Sequence, residues 1–284
     1  MMAENKKYSP TFRLVACLAA VEVLFRLGRI KAARETLRQN HHLLRRVPDQ
    51  SLKAQFCLKM AWAWQRASSG TASNRAVESA LAKAGAYAEN SGDRASLGLL
   101  ARRTAGYLTK RGRHTEAVDQ SITALEAHLI TGNYYLVQAT CADIGSVVHR
   151  LGPKHYDEAR EWLLASILVA RWMRIGRDDA HGEMILGKMY IEQGKRFQSK
   201  WLLGRAERIA DKAGNRINLA DVKMVRGFWH KRFGKREDQV KTLMEAVRIY
   251  RKPYEFDSAQ KEKYMSRKFP EVWDEVVERL RQNK

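Results

Sequence analysis

Histidine and cysteine are the residue types of this chain best suited to metal binding or catalysis, and their spacing decides whether such a role is open. The three cysteines, Cys17, Cys57 and Cys141, are odd in number and lack CxxC spacing. The pattern favours ordinary surface or half-buried histidines and cysteines that fill small buried positions, with a metal or catalytic role as the alternative. The histidines, none with an acidic or cysteine partner at ligand spacing, are His41, His42, His114, His128, His149, His155, His181 and His230.

Motifs for phosphate binding and nucleophilic catalysis are incomplete. Residues 182–188 read GEMILGK, but the segment lacks the first-glycine spacing and the preceding strand of a phosphate-binding loop. The chain contains no GxSxG, HExxH or kinase-type set. The sequence therefore predicts a protein that is not an enzyme and needs neither cofactor nor metal.

The charge balance is strongly basic. Lys and Arg number 52 against 31 Asp and Glu, for a formal net charge of +21, whereas a small domain usually carries a net charge of magnitude about 2–8. Such a surface attracts polyanions, whether nucleic acid, acidic protein segments or anionic lipid. The charge predicts the sign of a partner and not its identity.

The N-terminal region combines basic residues with an apolar run at 14–25, and LVAC at 14–17 matches a lipoprotein cleavage pattern. A signal needs about 7–15 apolar residues before its cleavage site, and here only residues 12 and 14–16 qualify. We therefore predict a first helix of the fold. Because no stretch reaches the length of about 18 apolar residues that a membrane span requires, we expect a cytoplasmic protein.

Glycines punctuate the chain at a nearly constant interval. One set has steps of 42, 42, 40, 42 and 40 residues by subtraction: Gly28, Gly70, Gly112, Gly152, Gly194 and Gly234. A second set lies about midway: Gly92, Gly132, Gly176 and Gly214. Glycine often ends helices because it tolerates the left-handed backbone. The spacing predicts a repeat of two helices.

Helical periodicity fills the segments between the glycines. In 116–130, Ala117, Ile122, Leu125 and Leu129 form an apolar stripe at helical rather than strand spacing. The predicted pairs are 10–27 with 30–46, 51–69 with 73–90, 93–111 with 115–130, 133–151 with 155–175, 178–193 with 197–213, and 216–233 with 236–250. We expect an N-terminal tail at 1–9, a repeat array at 10–250 and a C-terminal capping region at 251–284.

Small residues recur at fixed positions after each repeat glycine. Five residues past it stand Ala33, Ala117 and Ser199, and twelve past it stand Ala82, Ala124, Ala206 and Ala246; the fourth unit, two residues longer, has Ala159 and Ser166. Small side chains at constant positions let neighbouring helices approach to about 8–10 Å. They predict one packing arrangement repeated along the chain.

These features resemble the tetratricopeptide repeat (TPR) superfamily, in the longer variety of about 40–42 residues. That variety is found in kinesin light chains, polarity adaptors and bacterial regulators of the Rap and MalT types. The resemblance implies an all-α, right-handed solenoid of about six helix pairs that binds partners in a groove. The segments that carry it are LG at 151–152 with YDEA at 156–159, RGRHTEA at 111–117, and SGD, TGN and AGN at 91–93, 131–133 and 213–215.

The repeat pattern breaks after Tyr250, at Pro253. Residues 271–282 place Val272, Val276 and Leu280 at helical spacing. We predict a capping helix that covers the last repeat. A docking helix for another protein is the alternative.

Cations concentrate at the turn inside each helix pair. Equivalent turns of a repeat array lie along one edge, and the sequence therefore predicts a basic ridge. The alternative is that these cations complement helix dipoles, each by about 0.3–1 kcal/mol. The basic ridge comprises Lys110, Arg111, Arg113, Lys154, Lys195, Arg196, Lys231, Arg232, Lys235 and Arg236.

The groove lined by the first helix of each pair is a second candidate surface, and its mostly cationic side chains suit an acidic peptide. The predicted groove residues are Arg102, Arg103, Gln138, Lys188, Lys223 and Arg226; solvated helix faces are the alternative. We expect the tryptophans on apolar helix stripes to pack in the core rather than to form a stacking platform: Trp62, Trp64, Trp162, Trp172, Trp201 and Trp229.

The function predicted first is a non-catalytic TPR-type scaffold for an acidic protein or peptide, within a regulatory or assembly complex. The alternative is sequence-nonspecific binding of DNA or RNA through the basic ridge. A peptide-sensing regulator of the Rap type is a third possibility, which the resemblance alone suggests. A cationic groove with apolar pockets favours a peptide, a continuous ridge outside the groove favours nucleic acid, and a large exposed apolar patch favours an obligate complex. Partner identity and oligomeric state are left open by the sequence.

Overall fold

The fold was analysed in a computed structural model that describes residues 8–27, 29–67, 71–173, 180–251 and 258–282. These residues form fourteen α-helices and no strand. The helices are α1 Pro10–Arg26, α2 Ile30–Asn40, α3 Gln50–Ala67, α4 Thr71–Ser91, α5 Arg94–Lys110, α6 His114–Ile130, α7 Tyr134–Arg150, α8 Tyr156–Trp172, α9 His181–Glu192, α10 Arg196–Lys212, α11 Arg216–Phe233, α12 Arg236–Arg251, α13 Ser258–Lys268 and α14 Pro270–Gln282.

Consecutive helices pack as pairs, namely α1 with α2, α3 with α4, α5 with α6, α9 with α10, α11 with α12 and α13 with α14. Odd-numbered helices also contact one another, as α1 contacts α3, α3 contacts α5 and α9 contacts α11. The fold is therefore the all-α solenoid class that the repeat spacing predicts. The chain divides into two compact units, unit 1 at residues 1–140 and unit 2 at residues 141–284, which are described separately below.

The six predicted pairs are present, with ends within about three residues of the prediction except in the second helix. There α2 stops at Asn40, and a short 3-10 segment, His41–Arg45, continues the chain. The predicted helix-ending glycines Gly28, Gly70 and Gly176 lie outside the described residues.

Glycine ends the helices for the predicted reason. Gly112 has φ +76° and Gly194 has the same value, a region that only glycine enters at little cost. The N–H groups of the following residues donate to carbonyls five residues earlier, Arg113 to Leu108 at 3.0 Å and Lys195 to Tyr190 at 2.8 Å. These bonds satisfy carbonyls that a helix end leaves without partners.

A contact between glycine and leucine repeats through unit 2. A Cβ atom at Gly145, Gly187 or Gly227 would lie 2.6, 3.1 and 2.7 Å from the side chain of Leu163, Leu203 and Leu243, respectively. The three leucines follow one another at steps of 40 residues. The glycines let each odd-numbered helix pack directly on the leucine of its partner.

Most of the small residues predicted to pack are buried. Ala33, Ala117, Ala159 and Ser199 are fully buried, as are Ala124, Ser166, Ala206 and Ala246. Ala82 is the exception and is exposed, whereas Ala84 two residues later is fully buried. The second unit is therefore shifted by two residues relative to the count from Gly70. All three cysteines are free and buried, as predicted, and burial raises the pKa of each thiol to about 11.

The C-terminal region contains two helices where the sequence analysis predicted one. Val272, Val276 and Leu280 of α14 are buried with Val240 and Leu243 of α12, and α14 thus has the predicted capping position. The additional helix α13 has the sequence SAQKEKYMSRK, in which Tyr264 and Met265 are the large apolar residues. That is too few to produce a periodic signal. Together α13 and α14 form a seventh pair.

Candidate functional site

One candidate surface is formed by side chains of odd-numbered helices that lie against other odd-numbered helices, and we call it the odd-helix face. In unit 1, Trp62 of α3 packs edge-on against Phe25 of α1, with ring centroids 3.9 Å apart. The guanidinium groups of Arg66 and Arg103 each lie 5.0 Å from the Trp62 ring centroid. This distance is typical of cation–π contacts. Arg103, a predicted groove residue, is therefore on this face.

Two other predicted groove residues of unit 1 lie at or near buried groups. Gln138 is itself 1% exposed. The imidazole of His128, in the even-numbered helix α6, is buried, and its pKa is lowered to about 4. Burial is the main cause, and the charge of Arg102 lowers the pKa further. Arg102 lies four residues after Gly98, which packs on α6. Because residues four apart lie on the same face of a helix, Arg102 is also on the side of α5 that faces α6.

In unit 2 the odd-helix face carries a cluster of cations. Lys188 of α9 is half-buried, and burial lowers its pKa; the nearby charges of Arg150 and Lys268 lower it further, whereas Glu192 opposes them. The pKa of Tyr264 in α13 is raised, mainly by burial. The charges of Arg150 and Glu192 also act on this hydroxyl, Arg150 lowering its pKa and Glu192 raising it. Charges on α7 and α13 thus act on Lys188 of α9. We call Arg150, Lys188 and Lys268 the cation cluster.

Glu192 is the carboxylate nearest to Lys188, and it is already engaged by other groups. Its Oε2 accepts hydrogen bonds from His149 Nε2 and from the Tyr156 hydroxyl, each at 2.7 Å. Burial raises the pKa of this carboxyl, but the two hydrogen bonds and the charges of His149 and Lys188 outweigh burial and lower the pKa to about 2. Burial, with the same hydrogen bond, raises the pKa of Tyr156 to about 12.

Lys223 and Arg226, both predicted groove residues, point elsewhere. Lys223 Nζ lies 2.8 Å from Glu207 of α10 and 2.6 Å from Glu245 of α12, and Arg226 pairs with Glu207. These cations connect α11 to two even-numbered helices. Their charges are thus compensated within the fold.

Three of the ten basic ridge residues bind neighbouring helix ends. Lys110 Nζ donates to the carbonyl of Gln65 at 2.9 Å, near the end of α3. Arg232 donates to the carbonyls of Ile191 and Glu192 at the end of α9, at 2.5 and 2.9 Å, and Lys231 donates to Lys268 at the end of α13. Each cation donates to carbonyls in the last turn of a helix and complements the negative end of the helix dipole.

The remaining ridge residues differ in how far they are engaged. Arg113 pairs with Glu116, and Arg236 lies 3.2 Å from Glu275 of α14. Lys195 lies 4.9 Å from the ring of Tyr190, and Arg196 lies 5.8 Å from that of Trp229. Among the described ridge residues, Arg111, Lys154 and Lys235 are exposed and have no ion pair, hydrogen bond to a helix end or ring contact of the kinds described above.

Two of the tryptophans predicted to be in the core lie on the surface of unit 2. Trp172 is 71% exposed, and Leu164 and Leu168 are exposed on the same face of α8, each one helical turn apart. On α10, Phe197 is 81% and Trp201 57% exposed. Trp229 is buried as predicted, whereas Trp62, Trp64 and Trp162 are half-buried. The sequence did not distinguish these cases because an apolar stripe on an even-numbered helix can face either the core or solvent.

The described residues contain no group of three or more His, Cys, Asp or Glu side chains that could hold a metal ion. No helix in the described ranges is long and apolar enough to cross a lipid bilayer.

Comparison with solved structures places this geometry among known folds. A Rap protein complexed with competence and sporulation factor superposes with a TM-score of 0.75 at 14% identity, covering 98% of this chain and 76% of that one. The fold is that of the tetratricopeptide repeat proteins. The apo form of RapI gives a TM-score of 0.63 at 15% identity, covering 95% and 99% of the two chains. Aspartyl phosphate phosphatase F from Bacillus subtilis gives 0.66 at 14% identity, covering 96% and 68%.

At this level of identity the TPR likeness establishes the fold alone. No protein-family model matches the sequence, and no curated protein matches it. One of the TPR-type neighbours is named a phosphatase and another is complexed with a factor. The role of this chain therefore has to be argued from its own residues.

Proposed function

We propose that this TPR-type protein is a non-catalytic regulatory scaffold that binds an acidic segment of a partner protein on the odd-helix face of unit 2. The observation that carries the proposal is the cation cluster. Arg150 and Lys268 both act on the half-buried Lys188 with charge of the same sign. The carboxylate of Glu192, which lies 3.9 Å from Lys188, is held by His149 and Tyr156. A carboxylate of the partner would relieve the repulsion between these cations. Because Lys188 is partly buried, its attraction to that carboxylate would be stronger than at a fully exposed site.

The neighbouring structures support a peptide or protein guest, because one of them is complexed with a factor and covers nearly all of this chain. The exposed apolar side chains of α8 and α10 also favour a protein partner, since such surfaces are typical of protein interaction sites. We infer a cytoplasmic location from the three free, buried cysteines, which suit a reducing compartment.

The proposal is tested by fluorescence anisotropy with three labelled peptides of equal length, in which Leu alternates with Glu, Gln or Lys. We expect the Glu peptide to bind most tightly. Lys188→Met should weaken it by about tenfold, the equivalent of one lost charge-assisted contact. Lys154→Met is the matched control, because it removes one exposed charge of unit 2 outside the cluster. Equal binding of the Glu and Gln peptides would contradict the proposal.

Sequence-nonspecific binding of DNA or RNA through the basic ridge is the second candidate, and the exposed Arg111, Lys154 and Lys235 favour it. Against it, Lys110, Lys231 and Arg232 are engaged by helix-end carbonyls. Binding to labelled duplex DNA and to RNA between about 50 and 200 mM salt tests it, because neutralising several phosphates makes affinity fall by orders of magnitude over that range. A steep slope that charge reversal of Lys235 and Arg236 reduces would favour nucleic acid.

A further inference from the structure

Two adjoining cavities lie in unit 1 and share His41, Met60 and Trp64 in their linings. The larger, of about 260 Å³, lies between α2 and α3, and the smaller, of about 160 Å³, lies between α3 and α4. Drug-sized ligands usually occupy about 300–1,000 Å³. The volume therefore suits a small molecule rather than a peptide.

The smaller cavity exists because of the small side chains on its α4 wall. Ala76, Ser79 and Ala80 face it at one-turn spacing. The apolar floor of the larger cavity comes from Leu37 of α2 and from Met60 and Ala63 of α3. Side chains this short leave open the space that a larger residue on α4 would fill.

Cations line the rim in excess. Lys31 and Arg34 of α2 and Lys83 of α4 lie around the two cavities. The one lining carboxylate, Glu35, is bound by Arg38 at 2.8 and 3.0 Å and by Gln39 at 2.9 Å. Glu35 therefore neutralises Arg38 and leaves the other three cations uncompensated within the cavity.

Arg34 is held in place by an aromatic ring. Its guanidinium carbon lies 4.0 Å from the ring centroid of Trp64, a stacked arrangement that orients the planar fork before a ligand arrives. An arginine that is already ordered loses less side-chain entropy when it binds a carboxylate or phosphate. His41 adds a polar edge, and burial followed by the charges of Lys83, Arg45 and His42 lowers its pKa.

We propose that the larger cavity binds a small organic anion, with its carboxylate or phosphate group on Arg34 and Lys31 and its apolar body on Met60, Ala63 and Trp64, while Lys83 adds positive charge from the adjoining cavity. An apolar floor with a few convergent polar groups is the usual composition of a small-ligand site. This inference goes beyond the proposed partner binding and is independent of it.

The test uses ligand-observed NMR and calorimetry on the full chain with benzoate, phenyl phosphate and neutral benzyl alcohol, at concentrations up to about 1 mM. We expect at least one of the two anions to bind and benzyl alcohol to bind at least about tenfold more weakly. Binding of benzoate alone or of phenyl phosphate alone would identify the anionic group that the site takes.

Arg34→Met keeps an apolar side chain over Trp64 and removes the charge, and we expect it to weaken anion binding by about tenfold. Arg111→Met removes one exposed charge elsewhere in unit 1 and should leave binding unchanged. Circular dichroism establishes that both variants are folded. Failure of both anions to bind, equal binding of benzyl alcohol, or unchanged binding to a folded Arg34→Met variant would overturn the proposal.

Discussion

Lys188 Nζ lies 3.9 Å from Oε1 of Glu192, beyond hydrogen-bond distance, while Oε2 of the same carboxylate accepts bonds from His149 and Tyr156 at 2.7 Å. The lysine is thus beside a carboxylate that is committed to other partners. Arg150 and Lys268 add charge of the same sign, and on this ground we propose that the surface binds a further anion. This relationship distinguishes Lys188 from Lys223, whose two carboxylate partners satisfy it.

Glu192 should make the free energy of unfolding depend on pH in the acid range. Folding lowers the pKa of this carboxyl to about 2 from an ordinary value of 4.5. Its contribution to stability is therefore fully present above pH 4.5 and is lost as the pH falls toward 2. Since the side chain is more than one-third exposed, we expect a contribution on the order of 1 kcal/mol. Urea unfolding of Glu192→Gln should show a smaller loss over this interval than the original chain. Identical pH profiles of the two proteins would contradict this role.

His128 should make stability depend on pH in a higher interval. The ring is fully buried, and burial followed by the charge of Arg102 lowers its pKa from 6.5 to about 4. The unfolded chain therefore takes up a proton below pH 6.5 while the folded chain does not. Stability is complete above 6.5 and falls by about 1.4 kcal/mol per pH unit below it.

Replacement of His128 by Leu should remove this pH dependence. Between pH 6.5 and about 5, the variant should lose less stability than the original chain, by on the order of 2 kcal/mol. His42→Leu is the control, because His42 is exposed. Urea midpoints at a series of pH values provide the measurement. An unchanged slope in His128→Leu would show that another group is responsible.

The glycine–leucine contact predicts opposite effects for two similar substitutions. Gly227→Ala places a Cβ atom 2.7 Å from Leu243, and we expect it to destabilise the protein by about 1–3 kcal/mol through overpacking. Gly204→Ala lies in α10 with no atom within 4 Å of the new Cβ, and we expect it to stabilise by about 0.5–1 kcal/mol. Thermal unfolding measures both changes. Stabilisation by Gly227→Ala would contradict the close packing of α11 and α12.

The exposed and buried tryptophans should differ in the cost of truncation. Trp229→Ala removes a ring that is buried and should cost about 3–5 kcal/mol. Trp201→Ala removes one that is 57% exposed and should change stability by no more than about 0.5 kcal/mol. A large loss in Trp201→Ala would indicate that α10 is covered in solution by another surface of the protein or by a second copy.

The sequence predicted the fold in detail, because the fold depends on local signals that recur. Gly112 and Gly194 end helices through positive φ, and Ala117 and Ala206 are fully buried where the repeat count placed them. The helix α13 was missed because its packing depends on few apolar side chains, Met265 and the following Phe269, which are both buried. Two apolar residues do not produce a periodicity.

The site could be predicted only in part. Whether a cation such as Lys223 faces solvent or two carboxylates depends on Glu207 and Glu245, which are 16 and 22 residues away, and no local pattern contains that information. The same holds for Lys110, whose partner carbonyl at Gln65 lies 45 residues earlier. The cation cluster joins residues of three helices for the same reason. Sequence periodicity assigns a residue to a helix, and packing between repeats decides what it meets.

The most direct test of the proposed function compares two double variants that each remove two positive charges from unit 2. Arg150→Met with Lys188→Met alters the cation cluster, and Lys154→Met with Lys235→Met alters the exposed basic ridge. Titrated against the labelled Glu peptide, the first should lose about 100-fold in affinity and the second less than about threefold, since only the first removes contacts to the guest. Equal losses in the two variants would contradict the assignment of the acidic partner to the odd-helix face of unit 2.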